Sequence, residues 1–364
     1  MQLGCRYDLP FPEKPKEIIQ PADPVEPAEP IDPIDSVPVN PIDSLPELPP
    51  EEKPIDSDKI SVIFDTDANN ELDDQHALAY LLFNGNTFTV EGITVNSTWN
   101  GGGIQGQYDE ALRVMQLCDM EGKTPLLKGA NGKFDQIKNN VSNGSFDGDE
   151  AVNFIIEKSK ESPEEKLIIL AVGKLTNAAL AIEKDPTITD RVKIVWLGSN
   201  YPHSGEYNME NDIPSMNYVL DTDVEFEMVT VRYNKPSGTD AVRASKEEIN
   251  RRMPGTGPHV SPAVVGRHGV AFNNFGDYSV NLFDHIKLYG NPPSRAMFDM
   301  AAVAIVKEPT WATATEIPSP TYVNKTWKER PDNDRKIIVW EYFDQDAIME
   351  DFYNSMENYV LVNQ

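Results

Sequence analysis

Two cysteines, Cys5 and Cys118, stand in a chain of 364 residues, too few for a disulfide framework. Cys118 falls in the helix-like stretch "EALRVMQLCDM" and reads as a small buried hydrophobe. Basic charge is scarce as well: 32 Lys and Arg face 59 Asp and Glu, for a net charge of −27. Phosphate contacts need clustered Lys and Arg, so no nucleic-acid partner is expected. The same deficit argues against adsorption on anionic lipid. No run is apolar for long enough to span a bilayer as a helix. An acidic excess of this size suits a secreted or surface protein, or one that binds cations. Aromatic side chains are absent between Pro12 and Pro54.

That last stretch has proline instead. Fourteen of the 29 prolines lie between Pro10 and Pro54. Such a segment cannot bury enough apolar surface to offset the entropy of ordering. Pro21, Pro24, Pro27, Pro30 and Pro33 recur every third residue, the period of polyproline II. "PID" recurs at Pro30, Pro33, Pro41 and Pro54. Residues 1–57 are therefore expected to form a disordered, Pro- and acid-rich tether, with a folded domain over 58–364. Leu3-Gly4-Cys5 resembles the end of a bacterial lipoprotein signal, although the apolar segment that precedes such a signal is missing. The expectation is an extracytoplasmic protein tethered to a membrane through a lipidated Cys5, or otherwise a cytoplasmic one.

Beyond the tether, β-prone apolar runs alternate with helical patterns. The strand candidates are "ISVIF" (60–64), "FTVEGITV" (88–95), "KLIILAV" (166–172), "VKIVWLG" (192–198) and "EMVTVRY" (227–233). Several are continuous rather than alternating, as strands covered on both faces are. Helices are expected over 74–83, 106–119, 149–160 and 176–184, the last capped by Thr176. The fold class this predicts is α/β: an open, mostly parallel sheet with helices on both faces. In such sheets ligands gather where the strands end. Asp65, Asn96 and Val172 all fall at such ends.

The first of these ends is crowded with acid. "SVIFDTDANNELDDQHALAY" places Asp65, Asp67, Glu71, Asp73 and Asp74 within ten residues. Carboxylates so close repel one another, more strongly where water is excluded. They are stable splayed into solvent or gathered around a cation. Asp73 and Asp74 run directly into "HALAYLL", a segment that should be buried, so the cation is the better account. Asp67, Asp73 and Asp74, with a carbonyl from elsewhere, would suit calcium.

The order of motifs resembles the inosine–uridine-preferring nucleoside hydrolases. Asp65-Thr66-Asp67, then "ANNEL", then Asp73-Asp74 resembles their N-terminal signature, with a loop two residues longer. "VGKLTNAALAIEKDP", "VKIVWLGS", "NDIPSMNYVLDTDVEFEM" and "AMFDMAAVAIV" resemble later segments in the same order, over about 60–306. The resemblance implies calcium-dependent hydrolysis of the N-glycosidic bond of a ribonucleoside, giving ribose and free base. It implies that Asp67, Asp74, Asp299 and the Val172 carbonyl hold the ion. Asp67 would also act as general base on the attacking water, the one catalytic assignment. Asp73 would bind the ribose hydroxyls, with Asn217 holding another and Asn96 or Asn100 adding a polar contact. Similar proteins form homodimers or homotetramers.

Two positions depart from that pattern. Purine-active members carry a His before the late Asp, which helps the base leave; Phe298 stands here. Members also carry a Glu two residues before the sugar-binding Asn; counted from Asn217, that position is Ser215. Asp212, Glu210 or Asn208 could take over that contact. Trp99 could stack on a base, and His268, in the loop-like "GRHGVAFNNFGDY", could activate one. Competing readings are a catalytically weak ribose- or nucleoside-binding protein of the same fold, a haloacid-dehalogenase-like phosphatase, and a purely structural calcium site.

Overall fold

In the computed structural model the described residues are 59–161 and 165–364, all within the unit Ile55–Gln364. The expected tether over 1–57 and its Cys5 lie outside the described residues. Eight strands form the main sheet: β1 (Ile60–Thr66), β2 (Phe88–Val95), β3 (Leu126–Lys128), β4 (Leu167–Ala171), β5 (Val192–Ser199), β6 (Glu225–Thr230), β7 (Thr313–Pro318) and β8 (Lys336–Glu341). Their order is β7-β8-β6-β5-β4-β1-β2-β3. Every neighbouring pair is parallel except β7 against β8. The mostly parallel α/β sheet expected from the alternation of apolar runs and helices is therefore present. The short edge strands β3 and β7 were not expected: β3 has three residues, and β7 is largely exposed, so neither leaves an apolar run.

Continuous apolar strands feed two cores because successive side chains point to opposite faces. On β1, Phe64 joins one core with Leu78, Ile93 and Val303. Its neighbour Ile63 joins the other with Ile169, Leu180 and Trp196. All five residues of β4 are buried. Cys118 closes the helix Gly103–Leu117 as a buried free thiol. Among the described residues no helix is long and apolar enough to cross a membrane.

The chain runs outward from β1 to β2, then returns to place β4 on the other side of β1. This reversal opens a crevice at the carboxyl ends of the strands. Two backbone bonds draw the ends together: Val172 N donates to Asp65 O at 2.8 Å, and Asn96 N donates to Thr66 O at 3.0 Å. Three loops distant in sequence thus meet.

Four helices position side chains there: α1 (Leu72–Leu82), α2 (Thr176–Lys184), α3 (Tyr207–Asn211) and α4 (Phe298–Lys307). Every residue of α1 is buried, and α1 packs along α4. Thr176 does not cap α2; the cap position is Leu175. The Thr176 hydroxyl instead donates to Asp212 Oδ2 at 2.5 Å, a stronger partner than a helix-end amide because it is charged.

Candidate active site

β1 delivers Asp65 and Asp67 into the crevice, and α1 opens with Asp73 and Asp74 in its first turn. Asp299 is the second residue of α4. The N-termini of two packed helices therefore both face the cluster, and their unpaired N–H groups favour negative charge. Carboxylate oxygens of Asp73, Asp74 and Asp299 lie within 4.8 Å of one another. Asp67 stands beside them, near enough for its charge to disfavour ionisation of all three.

Three of the acids have a defined side-chain partner. Thr94 Oγ1 and Asn177 Nδ2 both donate to Asp65 Oδ1 at 2.8 Å, leaving Oδ2 unpartnered. Thr66 Oγ1 donates to Asp74 Oδ1 at 2.7 Å. Thr98 Oγ1 donates to Asp67 Oδ2 at 2.5 Å. Gly173 leaves room for the other Asp67 oxygen: a β-carbon there would fall 3.0 Å from Oδ1 and 2.7 Å from Asn96 Nδ2. Neither side-chain atom of Asn96 makes a well-formed hydrogen bond, although the residue is fully buried and its amide approaches the Asp65 carboxylate. A buried amide without partners is costly unless a ligand completes it.

Burial raises every one of these carboxyls. Asp65 is pushed up to about 6, the hydrogen bonds from Asn177 and Thr94 offsetting part of the cost. Burial pushes Asp67 and Asp73 up to about 7, helped by the neighbouring charges of Asp65 and Asp67 respectively. Asp74 and Asp299 rise well above the usual range through burial and their acidic neighbours. Lys174 is the nearest buried ammonium, itself lowered to about 8 by burial. Its Nζ is turned to the backbone carbonyls of Asn131 and Gly132, so it eases the charge of Asp65 and Asp67 only through space. The donor set is all oxygen, from clustered carboxylates, with an orphaned amide beside it. That set fits a hard divalent cation.

The resemblance placed Asp67, rather than Asp73, among the ion's ligands, whereas the tightest oxygen triad here includes Asp73. The Val172 carbonyl is present at the crevice but already accepts from Asn208 Nδ2 at 2.7 Å. A carbonyl has a second lone pair, so it can still face an ion.

The sugar-side assignment needs correction. Asn217 does not face the cluster. Its Nδ2 donates to Tyr322 O at 2.9 Å, and its Oδ1 accepts from Tyr322 N at 2.9 Å; both ends of the amide serve the edge of the strand Thr321–Val323. Asn208 occupies the crevice, donating to both Val172 O and Leu197 O. Glu206, two residues before it, is buried and accepts from Asn208 N at 2.9 Å and Met209 N at 2.8 Å. Burial, with Asp67 nearby, pushes Glu206 up to about 8. Glu206-Tyr207-Asn208 thus has the Glu-x-Asn spacing that Ser215 failed to supply. The signal was in the sequence, nine residues upstream of Asn217, with Asp212 following Asn208 at the same interval as Asp221 follows Asn217.

Asp212 is also withdrawn from the substrate side. It is buried, caps the helix Ile213–Asp221, and accepts from Phe134 N at 2.8 Å as well as from Thr176. Asn96 is inside and Asn100 is exposed, tied to Tyr207 Oη through its backbone N–H. Trp99 is 60% exposed, with its ring edge-on to Tyr207 at 5.7 Å. His268 is exposed and stacks on His285 at 4.1 Å, with Nδ1 against Asn281. That stack, and not the carboxylate cluster, is its environment. Tyr233, unremarked in the sequence, stands near Glu206 and Asp73.

Fold and site together define an α/β protein with a buried acidic cluster, of a kind that could hold a cation, at a topological switch point. The family pattern described as inosine-uridine preferring nucleoside hydrolase matches residues 62–349, and the chain belongs to that family. A probable uridine nucleosidase 2 of Oryza sativa subsp. japonica is 28% identical over 210 residues. That match covers 50% of this chain and 57% of the relative, so the chain spans little more than half of its length. Among solved structures, a plant nucleoside hydrolase superposes with a TM-score of 0.62 at 17% identity, covering 82% of this chain and 99% of its own. An inosine-uridine preferring nucleoside hydrolase from Bacillus anthracis gives 0.59 at 16% identity, with the same coverage. A purine-preferring ribonucleoside hydrolase from Gardnerella vaginalis gives 0.60 at 20% identity, covering 82% and 98%. At these identities the superpositions establish the fold.

Proposed function

We propose that this chain hydrolyses the N-glycosidic bond of ribonucleosides to ribose and free base, and that calcium is its cation. The observation that carries this reading is the buried carboxylate cluster at two helix N-termini, ringed by Asn96, Glu206 and Asn208. Asp73, Asp74, Asp299, Asp67 and the Val172 carbonyl would hold the ion. When bound, it supplies charge compensation and Lewis acidity toward water and the sugar diol.

The chain's own groups do the rest. Thr98 fixes one oxygen of Asp67, which leaves the other to take a proton from the attacking water. Asp73 accepts from a ribose hydroxyl, and Glu206 and Asn208 hold the sugar beyond it. Bond cleavage passes through an oxocarbenium-like state, and the fixed negative field of the cluster stabilises its positive charge.

Reducing-sugar release from a panel of purine and pyrimidine nucleosides, with and without chelator, tests the reading. Asp67→Ala should lose activity by about 10²- to 10⁴-fold, as removal of a general base does, with ribose binding retained. Undiminished turnover in that variant would refute the assignment. The apolar Phe298 beside Asp299 favours a second reading, a nucleoside-binding protein without turnover. Calcium-dependent ribose binding with no release from any nucleoside would establish that one instead.

A further inference from the structure

Tyr233 sits on the loop that leaves β6. The residues on either side of it, Arg232 (φ 45°) and Asn234 (φ 57°), have left-handed backbone, which Asn tolerates but which is costly for Arg232. The loop is held in that shape from several directions. Arg232 Nε donates to Tyr201 O at 2.9 Å, and its guanidinium pairs with Glu341. Tyr233 N donates to Asn200 Oδ1 at 3.1 Å, and Asn234 N donates to Asp240 Oδ2 at 2.8 Å. All this fixes a side chain that remains 37% exposed. Core packing alone gives no reason to pin it so firmly.

The Tyr233 ring meets Phe298 edge-on, with centroids 5.9 Å apart and planes at 83°. Its phenol oxygen lies against the Tyr207 backbone N–H, in the field of Glu206 and Asp73. An oxygen that accepts there keeps its own proton for another acceptor. Phe298 directly precedes Asp299, and the charges of Glu206 and Asp73 act on the phenol, so this hydroxyl stands beside the carboxylate floor. Breaking C1′–N leaves an electron pair on a heteroaromatic base, and that departure needs a donor. Phe298 has none to offer. The Thr98 hydroxyl is committed to Asp67, and the Asn208 amide to two carbonyls.

We propose that Tyr233 is a catalytic residue whose phenol donates a hydrogen bond to the departing base. The proposal rests on the ribohydrolase reading above. As C1′–N breaks, its electron pair stays on the base, whose charge the phenol stabilises. Water adds its oxygen to C1′ and gives its proton to Asp67, which returns it to solvent. The base takes its final proton from solvent, so one water is consumed and one N–H is formed.

Tyr233→Phe keeps the ring against Phe298 and removes only the hydroxyl. Its kcat should be compared with wild type on uridine, on inosine and on p-nitrophenyl β-D-ribofuranoside, whose nitrophenolate leaves without help. On the nucleosides kcat should fall on the order of 10- to 100-fold, the worth of one hydrogen bond to a developing charge. On the nitrophenyl riboside it should change less than about threefold, since no such bond is needed. Equal losses on both substrate types, or no loss on the nucleosides, would overturn the role. Wild-type protein inert on all three would overturn the ribohydrolase reading itself, a result distinguishable from failure of Tyr233 alone.

Discussion

Asp67, Asp73, Asp74 and Asp299 sit buried at strand and helix ends, whereas Trp99, Tyr207, Tyr233 and Phe298 stand partly or largely open to solvent. The floor is charged and enclosed. Its residues come from the first strand, the first helix and a late helix, and each is held by a neighbour already in the core. The rim is aromatic and carried by loops and helix starts. A ribosyl cation needs fixed charge in a dry place, while a flat base needs faces to stack on and, as it leaves, one donor for its electron pair. The difference teaches that one site can meet both needs by giving them to different kinds of structure. Floor substitutions should therefore damage every nucleoside alike, and loss of a stacking face at the rim should change which nucleoside is preferred.

The sharpest test of that division pairs two asparagines. Asn208→Ala should lower kcat/KM by about 100-fold on every nucleoside, because it frees the Val172 carbonyl that Asn208 Nδ2 holds and removes an acceptor beside the sugar. Asn217→Ala should change kcat/KM less than about threefold and cost about 1–2 kcal/mol of stability, because it leaves the Tyr322 backbone unpaired. Steady-state kinetics on a nucleoside panel, with denaturant melts, reads both. Equal catalytic losses would return Asn217 to the site.

At the rim, Trp99→Ala should raise KM by about 10-fold, the size of one lost base–aromatic stack, and leave kcat nearly unchanged. A matching fall in kcat would mean that Trp99 does more than stack on the base.

The smallest effect concerns the floor without its cation. Asp65, Asp67, Asp73 and Glu206 have folded-state values of about 6, 7, 7 and 8, above their ordinary values near 4. Between those limits the folded chain binds more protons than the unfolded one, so stability falls as pH rises. Chelated protein should lose melting temperature steadily from about pH 4 to about pH 8, and millimolar calcium should flatten the slope. A metal-free melting temperature that rises over that interval would contradict the account of the cluster.

Much of the fold was readable because its signals are local. The strands β1, β2, β4, β5 and β6 are apolar runs, and α1 and α2 are apolar stripes at helical spacing. Pairs such as Asp73-Asp74 announce themselves because two charges directly precede a buried helix. Thr176 shows where that reading fails. The residue fits a helix cap, but whether it caps depends on what lies across from it, and a buried carboxylate lies there. Asn217 fails for the same reason. An amide on a helix looks alike in sequence whether it faces a ligand or a neighbouring strand.

By itself the sequence determined that a mostly parallel sheet would form and that acid would collect at its first strand end. Periodicity and adjacency are properties of neighbours along the chain. Only the tertiary structure decided that Asp73 joins Asp74 and Asp299 in the acidic triad, that Glu206 and Asn208 line it while Asp212 and Asn217 serve the scaffold, and that Tyr233 arrives beside Phe298. Those outcomes depend on which loops meet at the strand ends and which partner each polar side chain finds when buried, and burial is settled by packing between segments far apart in sequence.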